Sequence, residues 1–286
     1  MVSSVGVATC AVPGTIRRVD ALVLQVRRLD YLTGPAVRSC LVRSDAAILP
    51  LGPTEAHGLH LPLGCDALIA LATAELAAHE ADALVLPPFA YSWPGASARL
   101  PGTMRLPPDL VIQVLVAILE SAIAQGFRRL AVVCAHGPDV HTATVAARLT
   151  FERTGCPVAV HHAVPGRGTT DREQELARAA LEQERDDPGY GETSRLLAAL
   201  EILGLPATLV DEGAIQHGPV RGAPLPEGLV EPLRAGGAGF FFTELPQHIP
   251  TPRRYSIAEG RAYLDAAASA MAASLAAMKT LVRPSP

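Results

Sequence analysis

Short apolar runs of strand length alternate along this chain with helical stretches of about 15 residues, and no other feature of the sequence limits the fold so strongly. The run from Asp45 to Leu51 stops at Gly52-Pro53, so it reads as a buried strand entering a loop. Ala83 to Leu86, stopped by Pro87-Pro88, is a second strand. Arg129 to Cys134 and Cys156 to His161 are a third and a fourth. Between and after them the spacing predicts helices over 67–79, with Asp66 near the N-cap, and over 110–125, opened by Pro107-Pro108-Asp109 and closed by Gly126. A polar, exposed helix is predicted over 171–187, another over 192–203 stopped by Gly204, and a long Ala-rich one over 257–278. Such alternation means βαβ units and a mostly parallel sheet covered on both faces. The expected fold is therefore α/β: a three-layer αβα arrangement in a single domain over 15–286, after a loose lead-in over 1–14. Ligands in such folds lie beyond the carboxyl ends of the strands. The loops after 46–51 and 129–134 are where chemistry is expected.

Composition agrees with a large core and excludes some functions. Of the 286 residues 49% are hydrophobic but only 4% aromatic, so the core is built from Ala, Val and Leu. A formal net charge of −4, with a pI near 6.1, lacks the basic footprint of a nucleic-acid binder. Five widely spaced cysteines with no C-x-x-C argue against disulfide staples or a zinc ribbon and for reduced thiols in a cytoplasmic protein. The start lacks the basic segment of a signal peptide. The apolar stretch Leu110 to Phe127 is broken by Gln113, Glu120 and Gln125, as in a buried helix and unlike a membrane span, so no membrane association is expected.

The two loops hold Glu55-Ala-His57, Asp66 and His136. Glu55 and His57 project to one side if the backbone is extended. Carboxylates and imidazoles converging from separate loops at one sheet end suit a zinc or manganese site, and a carboxylate can bridge two ions. Taken singly, each residue has an ordinary reading: a solvated Glu-x-His pair, a helix cap, a hydrogen-bonded structural histidine. His79, His217 and His248 read as surface or packing residues, and Cys65 as a doubtful ligand with no other sulfur near it.

The stretch Leu51 to Asp66, LGPTEAHGLHLPLGCD, resembles the long signature of the creatininase family, G-S-T-E-Q-H-G-P-H-L-P-L-x-T-D. Pro101-Gly-Thr-Met104 resembles its P-G-T segment, Gln125 to Gly137 the strand leading into N-G-H-G-G-N, and Gly191-Glu-Thr-Ser194 the end of H-A-G-E-x-E-T-S. The resemblance runs from about residue 44 to 270. It implies a three-layer α/β hydrolase with two divalent ions, Zn or Mn. Glu55, His57, Asp66 and His136 match metal ligands, Asp66 being the bridge. In creatinine amidohydrolase a further Glu stands two residues after the His136 position, where this chain has Pro138. In other branches the Glu of E-T-S fills that role, and Glu192 matches it. The resemblance also implies a homo-oligomer, a hexamer in many members.

Two segments depart from the family pattern. The N-G-H-G-G-N loop is Cys134-Ala-His-Gly-Pro-Asp139, and H-A-G-E is Asp187-Pro-Gly-Tyr190. The missing His is a candidate proton shuttle in family members. Asp187, Tyr190, His60 or His141 are the candidates to replace it. Tyr91, Trp93 (the only tryptophan), Cys134, Asp139 and His141 are expected to line the substrate pocket. The expected function is a metal-dependent amidohydrolase cleaving the C–N amide bond of a small polar molecule, for instance deacylating an N-acylated amine in specialised metabolism. The alternatives are a mycofactocin-type peptidase and a non-catalytic metal-binding scaffold of the same fold.

Overall fold

The computed structural model describes residues 27–163, 171–217, 219–224, 228 and 239–281, so the lead-in over 1–14 lies outside the described residues. Four parallel strands, β1 (Ala46–Leu51), β2 (Leu84–Val85), β3 (Arg129–Cys134) and β4 (Val158–His162), form one sheet in the order β2-β1-β3-β4. β1 and β3 run together from Ala46 beside Arg129 to Leu51 beside Cys134. Among the described residues the α-helices are α1 (Gly34–Arg43), α2 (Cys65–Ala81), α3 (Pro108–Gln125), α4 (Asp139–Thr154), α5 (Asp171–Asp186), α6 (Tyr190–Leu203), α7 (Glu212–Gln216) and α8 (Ile257–Ala277).

Strand side chains alternate between two cores. Ala46, Ile48, Ala131 and Val133 pack with α2, α6 and α8 on one face. Ala47, Leu49, Leu51, Leu130, Val132 and Cys134 pack with α1, α3 and α4 on the other. These are the three expected layers. From β1 the chain crosses to β2 through α2 on the first face, then returns across the sheet through α3 and α4 on the second. Crossovers that travel in opposite directions lie on opposite faces when all share one hand, as the right-handed rule requires. The direction reverses between β1 and β3, which makes the crevice beyond Leu51 and Cys134 the switch point where ligands bind in open α/β sheets. At the opposite end of β3, Arg129 is buried and tied to Asp45 and Ser44 before β1 and to the Leu275 carbonyl of α8.

Several boundaries differ from the sequence pattern. α2 begins at Cys65 with Gly64 as its N-cap, so Asp66 is the second helical residue and does not cap the helix. α6 begins at Tyr190, which puts Glu192 in its first turn. β4 starts at Val158, and Cys156 and Pro157 belong to the irregular segment before it. α1 and α4 are not among the helices the sequence pattern marks. α4 alternates small and β-branched residues without a clean apolar stripe, and it follows Gly137-Pro138, which reads as a break. α3 is the one helix among the described residues long and apolar enough to cross a membrane. Val111, Leu115, Val116, Leu119 and Ala122 on it are buried in the second core.

Candidate metal centre

The segment leaving β1 is pinned on both sides. Thr54 N–H donates to the Ala90 carbonyl, Glu55 N–H to Leu63, and Ala56 N–H to the Thr103 hydroxyl at 3.0 Å. That last bond gives the P-G-T segment a physical role: it holds the loop between Glu55 and His57. Gly52 passes so close to the first turn of α2 that a Cβ there would lie 2.7 Å from the Asp66 Cβ. The loop and Asp66 are thus packed as one unit.

Glu55, His57, Asp66 and His136 are all buried and all meet beyond the ends of β1 and β3. His136 Nδ1 lies 3.1 Å from Glu55 Oε1 and 3.4 Å from Asp66 Oδ2, while His57 Nε2 lies 3.5 Å from Asp66 Oδ1. Asp66 thus presents one oxygen to each histidine. Two ligands on one tetrahedral ion at ordinary bond lengths are about 3.4 Å apart, so these separations match a shared cation. Three overlapping groups have ligand atoms within 4.8 Å of one another: Glu55 with Asp66 and His136, His57 with Cys65 and Glu192, and Glu55 with His57 and His248.

The buried atoms also lack other partners. Glu55 Oε1 and Asp66 Oδ2 have no hydrogen-bond donor. Glu55 Oε2 accepts from the Ser97 hydroxyl. His57 Nδ1 lies 3.0 Å from the Glu55 carbonyl, which can only accept, so Nδ1 carries the proton and Nε2 is left toward Asp66. Acceptors facing acceptors in a dry site need cations between them. Without metal, protons take that place. Burial pushes the Glu55 and Asp66 carboxyls up, but His136 and His57 outweigh it and hold Glu55 below and Asp66 well below their ordinary values. Burial likewise pulls the two imidazoles down, and the carboxylates win again: Asp66 raises His57 to about 10, and Glu55 holds His136 well above its usual range.

The remaining candidates are distributed unevenly. Glu192 is half-buried, within the His57 group, and ion-paired with Arg195 at 3.2 Å. The neighbouring residues of its motif are structural: Thr193 Oγ1 bonds His60 Nε2 at 2.8 Å, and Ser194 Oγ accepts Ser256 N–H at the start of α8. His60 is buried, and burial with the His57 charge lowers it to about 4. Asp139 is buried with one oxygen on the Ser92 hydroxyl at 2.8 Å, and burial raises its carboxyl to about 7.

The structure corrects several of these expectations. Asp187 is turned to the backbone, accepting the N–H groups of Arg253 and Arg254. The Tyr190 hydroxyl donates to Glu259 at 2.9 Å, in a cavity lined also by Arg195 and Tyr263. Cys134 points into the second core, because strand parity puts it with Val132. Trp93 packs against that same core. His141 and Tyr91 are both exposed. His248, read as a packing or surface residue, instead stands beside the cluster with Nε2 3.5 Å from Glu55 Oε1. Sequence reasoning also missed Ser97. Neither residue lies in a motif.

The family model for creatinine amidohydrolase matches residues 30–275. The chain belongs to the creatininase family. This family member is similar to the mycofactocin precursor peptide peptidase of Mycobacterium tuberculosis (strain CDC 1551 / Oshkosh), 34% identical over 116 residues, or 37% of this chain and 46% of that protein. It is also similar to the 3-dehydro-scyllo-inosose hydrolase of Thermotoga maritima, 29% identical over 109 residues, or 38% of this chain and 35% of that one. Each match spans less than half the length of the curated relative. A solved structure named Creatininase Mn superposes with a TM-score of 0.65 at 22% identity, covering 86% of this chain and 96% of that one. At that identity the likeness shows the shared fold.

Proposed function

We propose that this creatininase-family chain is a divalent-metal-dependent amidohydrolase that cleaves the C–N amide bond of a small polar molecule, releasing an amine from its acyl group. The carrying observation is Asp66, whose two carboxylate oxygens face two different histidines in a buried site. Glu55, Asp66 and His136 would hold one ion, and Asp66, His57 and Glu192 the other. A bound pair of Zn or Mn ions supplies Lewis acidity and makes water acidic enough to attack near neutral pH. The chain's own part is to keep the ligand atoms fixed and dry. Ser97 and Thr103 anchor the Glu55 segment, and His60 and Thr193 tie it to the first turn of α6. Asp139 takes the place of a family Asn. Raised to about 7 by burial, it keeps a carboxylic acid proton near neutral pH and can donate as an amide would. A small-molecule substrate and assembly as a homo-oligomer, a hexamer, belong to the same proposal.

A second reading is supported by the Mycobacterium tuberculosis relative, whose name is that of a precursor peptide peptidase. Metal-reconstituted protein assayed for amine release from N-acylated amines and short peptides, and for creatine formation from creatinine, separates the two. Turnover is expected on N-acylated amines and to be poor on creatinine, because Pro138 stands where a ligating Glu would be needed. Cleavage confined to peptides would establish the second reading in place of the first. Robust hydrolysis of creatinine would sink the assignment of Glu192 as the substitute ligand.

Glu192→Ala is expected to weaken one of the two ions by about 10–100-fold and to lower turnover in parallel. Competitive titration with a metal indicator checks it. Unchanged affinity for both ions would remove Glu192 from the ligand set.

A further inference from the structure

We propose that His248 is an additional ligand of the metal pair, supplied by a loop outside every motif of the chain; this rests on the two-metal reading above. Its Nδ1 lies 2.5 Å from the Ala56 carbonyl oxygen. A carbonyl only accepts, so Nδ1 carries the proton and the Nε2 lone pair is left facing the cluster. Nε2 is 3.5 Å from Glu55 Oε1, itself a buried oxygen with no donor. His57 is wired the same way: Nδ1 on the Glu55 carbonyl, Nε2 3.5 Å from an Asp66 oxygen. Two histidines anchored through Nδ1 on successive carbonyls of one loop, each 3.5 Å from a carboxylate, are equivalent in their chemistry. The ring is also fixed in place. Phe242 stacks on it at 5.4 Å, and Phe242 N–H donates to the Ala96 carbonyl beside Ser97. The residues after it are seated on glycines: the Ile249 carbonyl on Gly58 and the Pro250 carbonyl on Gly189, where any Cβ would overlap the oxygen. A ligand needs this degree of fixation, and a packing histidine does not.

The alternative is a protonated His248 that donates Nε2–H to Glu55. Cobalt substitution distinguishes them. In the Co(II) protein, a histidine bound to the ion through one nitrogen shows a strongly shifted, exchangeable N–H proton resonance from the other. Three such signals are expected, from His57, His136 and His248, and two from His248→Asn. That variant keeps a side-chain donor for the Ala56 carbonyl but lacks the imidazole. The same variant is expected to release one cobalt ion at least about 10-fold more readily. Two signals in the unaltered protein, or a third that persists in His248→Asn, would overturn the proposal while leaving the two-metal reading intact. If His248→Asn does not fold, the wild-type count still decides. A chain that takes up no cobalt sinks both.

Discussion

Asp66→Ala is expected to leave a folded protein that holds less than one firmly bound ion per chain and turns over at least about 1,000-fold more slowly. Each half of the cluster reaches the other through this carboxylate: Oδ1 serves the His57 side and Oδ2 the His136 side. Removing it deletes a ligand from both ions at once and leaves neither correctly placed. The loss should exceed that of Glu192→Ala, where one ion keeps all its contacts. Asp66 lies in the first turn of α2, whose remaining buried residues form core, so the helix is expected to survive. Elemental analysis of protein prepared without chelator, with circular dichroism as the folding control, makes the measurement. Near-wild-type rates in Asp66→Ala would refute the two-metal mechanism.

The sheet and most of the buried carboxylate–histidine cluster were legible because their signals are local. Val/Leu runs closed by Gly-Pro or Pro-Pro specify buried strands with little ambiguity, and Glu55, His57 and Asp66 lie within one continuous segment of the chain. What was not legible depends on direction or on distance. Cys134 was correctly placed at the end of a strand, yet parity sends its side chain to the far core while His136, two residues on, turns to the site. Asp187 and Tyr190 occupy positions of a functional motif, but they bond Arg253, Arg254 and Glu259, partners no local pattern reveals. His248 joins its anchor at Ala56 across 192 positions from a loop with no periodicity at all. A signal could have been found in the bulky Phe240-Phe241-Phe242 run in a chain so poor in aromatics. Such a run in a loop needs something to cover.

Stripping the metal is expected to give a protein whose melting temperature falls as pH rises from 7 to 10, while the metal-loaded form gains on it over the same range. The sign follows from His57 and His136. Free imidazole titrates near 6.5, but in the folded, metal-free site Asp66 holds His57 at about 10 and His136 is also raised. A raised pKa means that folding binds protons, so the stability it contributes is complete below 6.5 and is lost as pH climbs through about 10. Asp139, raised from 3.8 to about 7, has already lost its contribution by the lower edge of this window. His60 acts oppositely but outside it: lowered to about 4, it costs stability only below 6.5. The window from 7 to 10 therefore belongs to the two cluster histidines, with the buried thiols of Cys65 and Cys134 adding to the decline above 9.0. Metal reverses the slope, because ligation needs the imidazoles deprotonated and each bound ion displaces protons that grow cheaper to remove as pH rises. Thermal melts by circular dichroism from pH 6 to 10, in chelator and in saturating Zn or Mn, give the comparison. A metal-free melting temperature that stays flat from pH 7 to 10, or a gap between the two forms that does not widen, would mean that protons do not take the place of cations between Asp66, Glu55 and the two histidines.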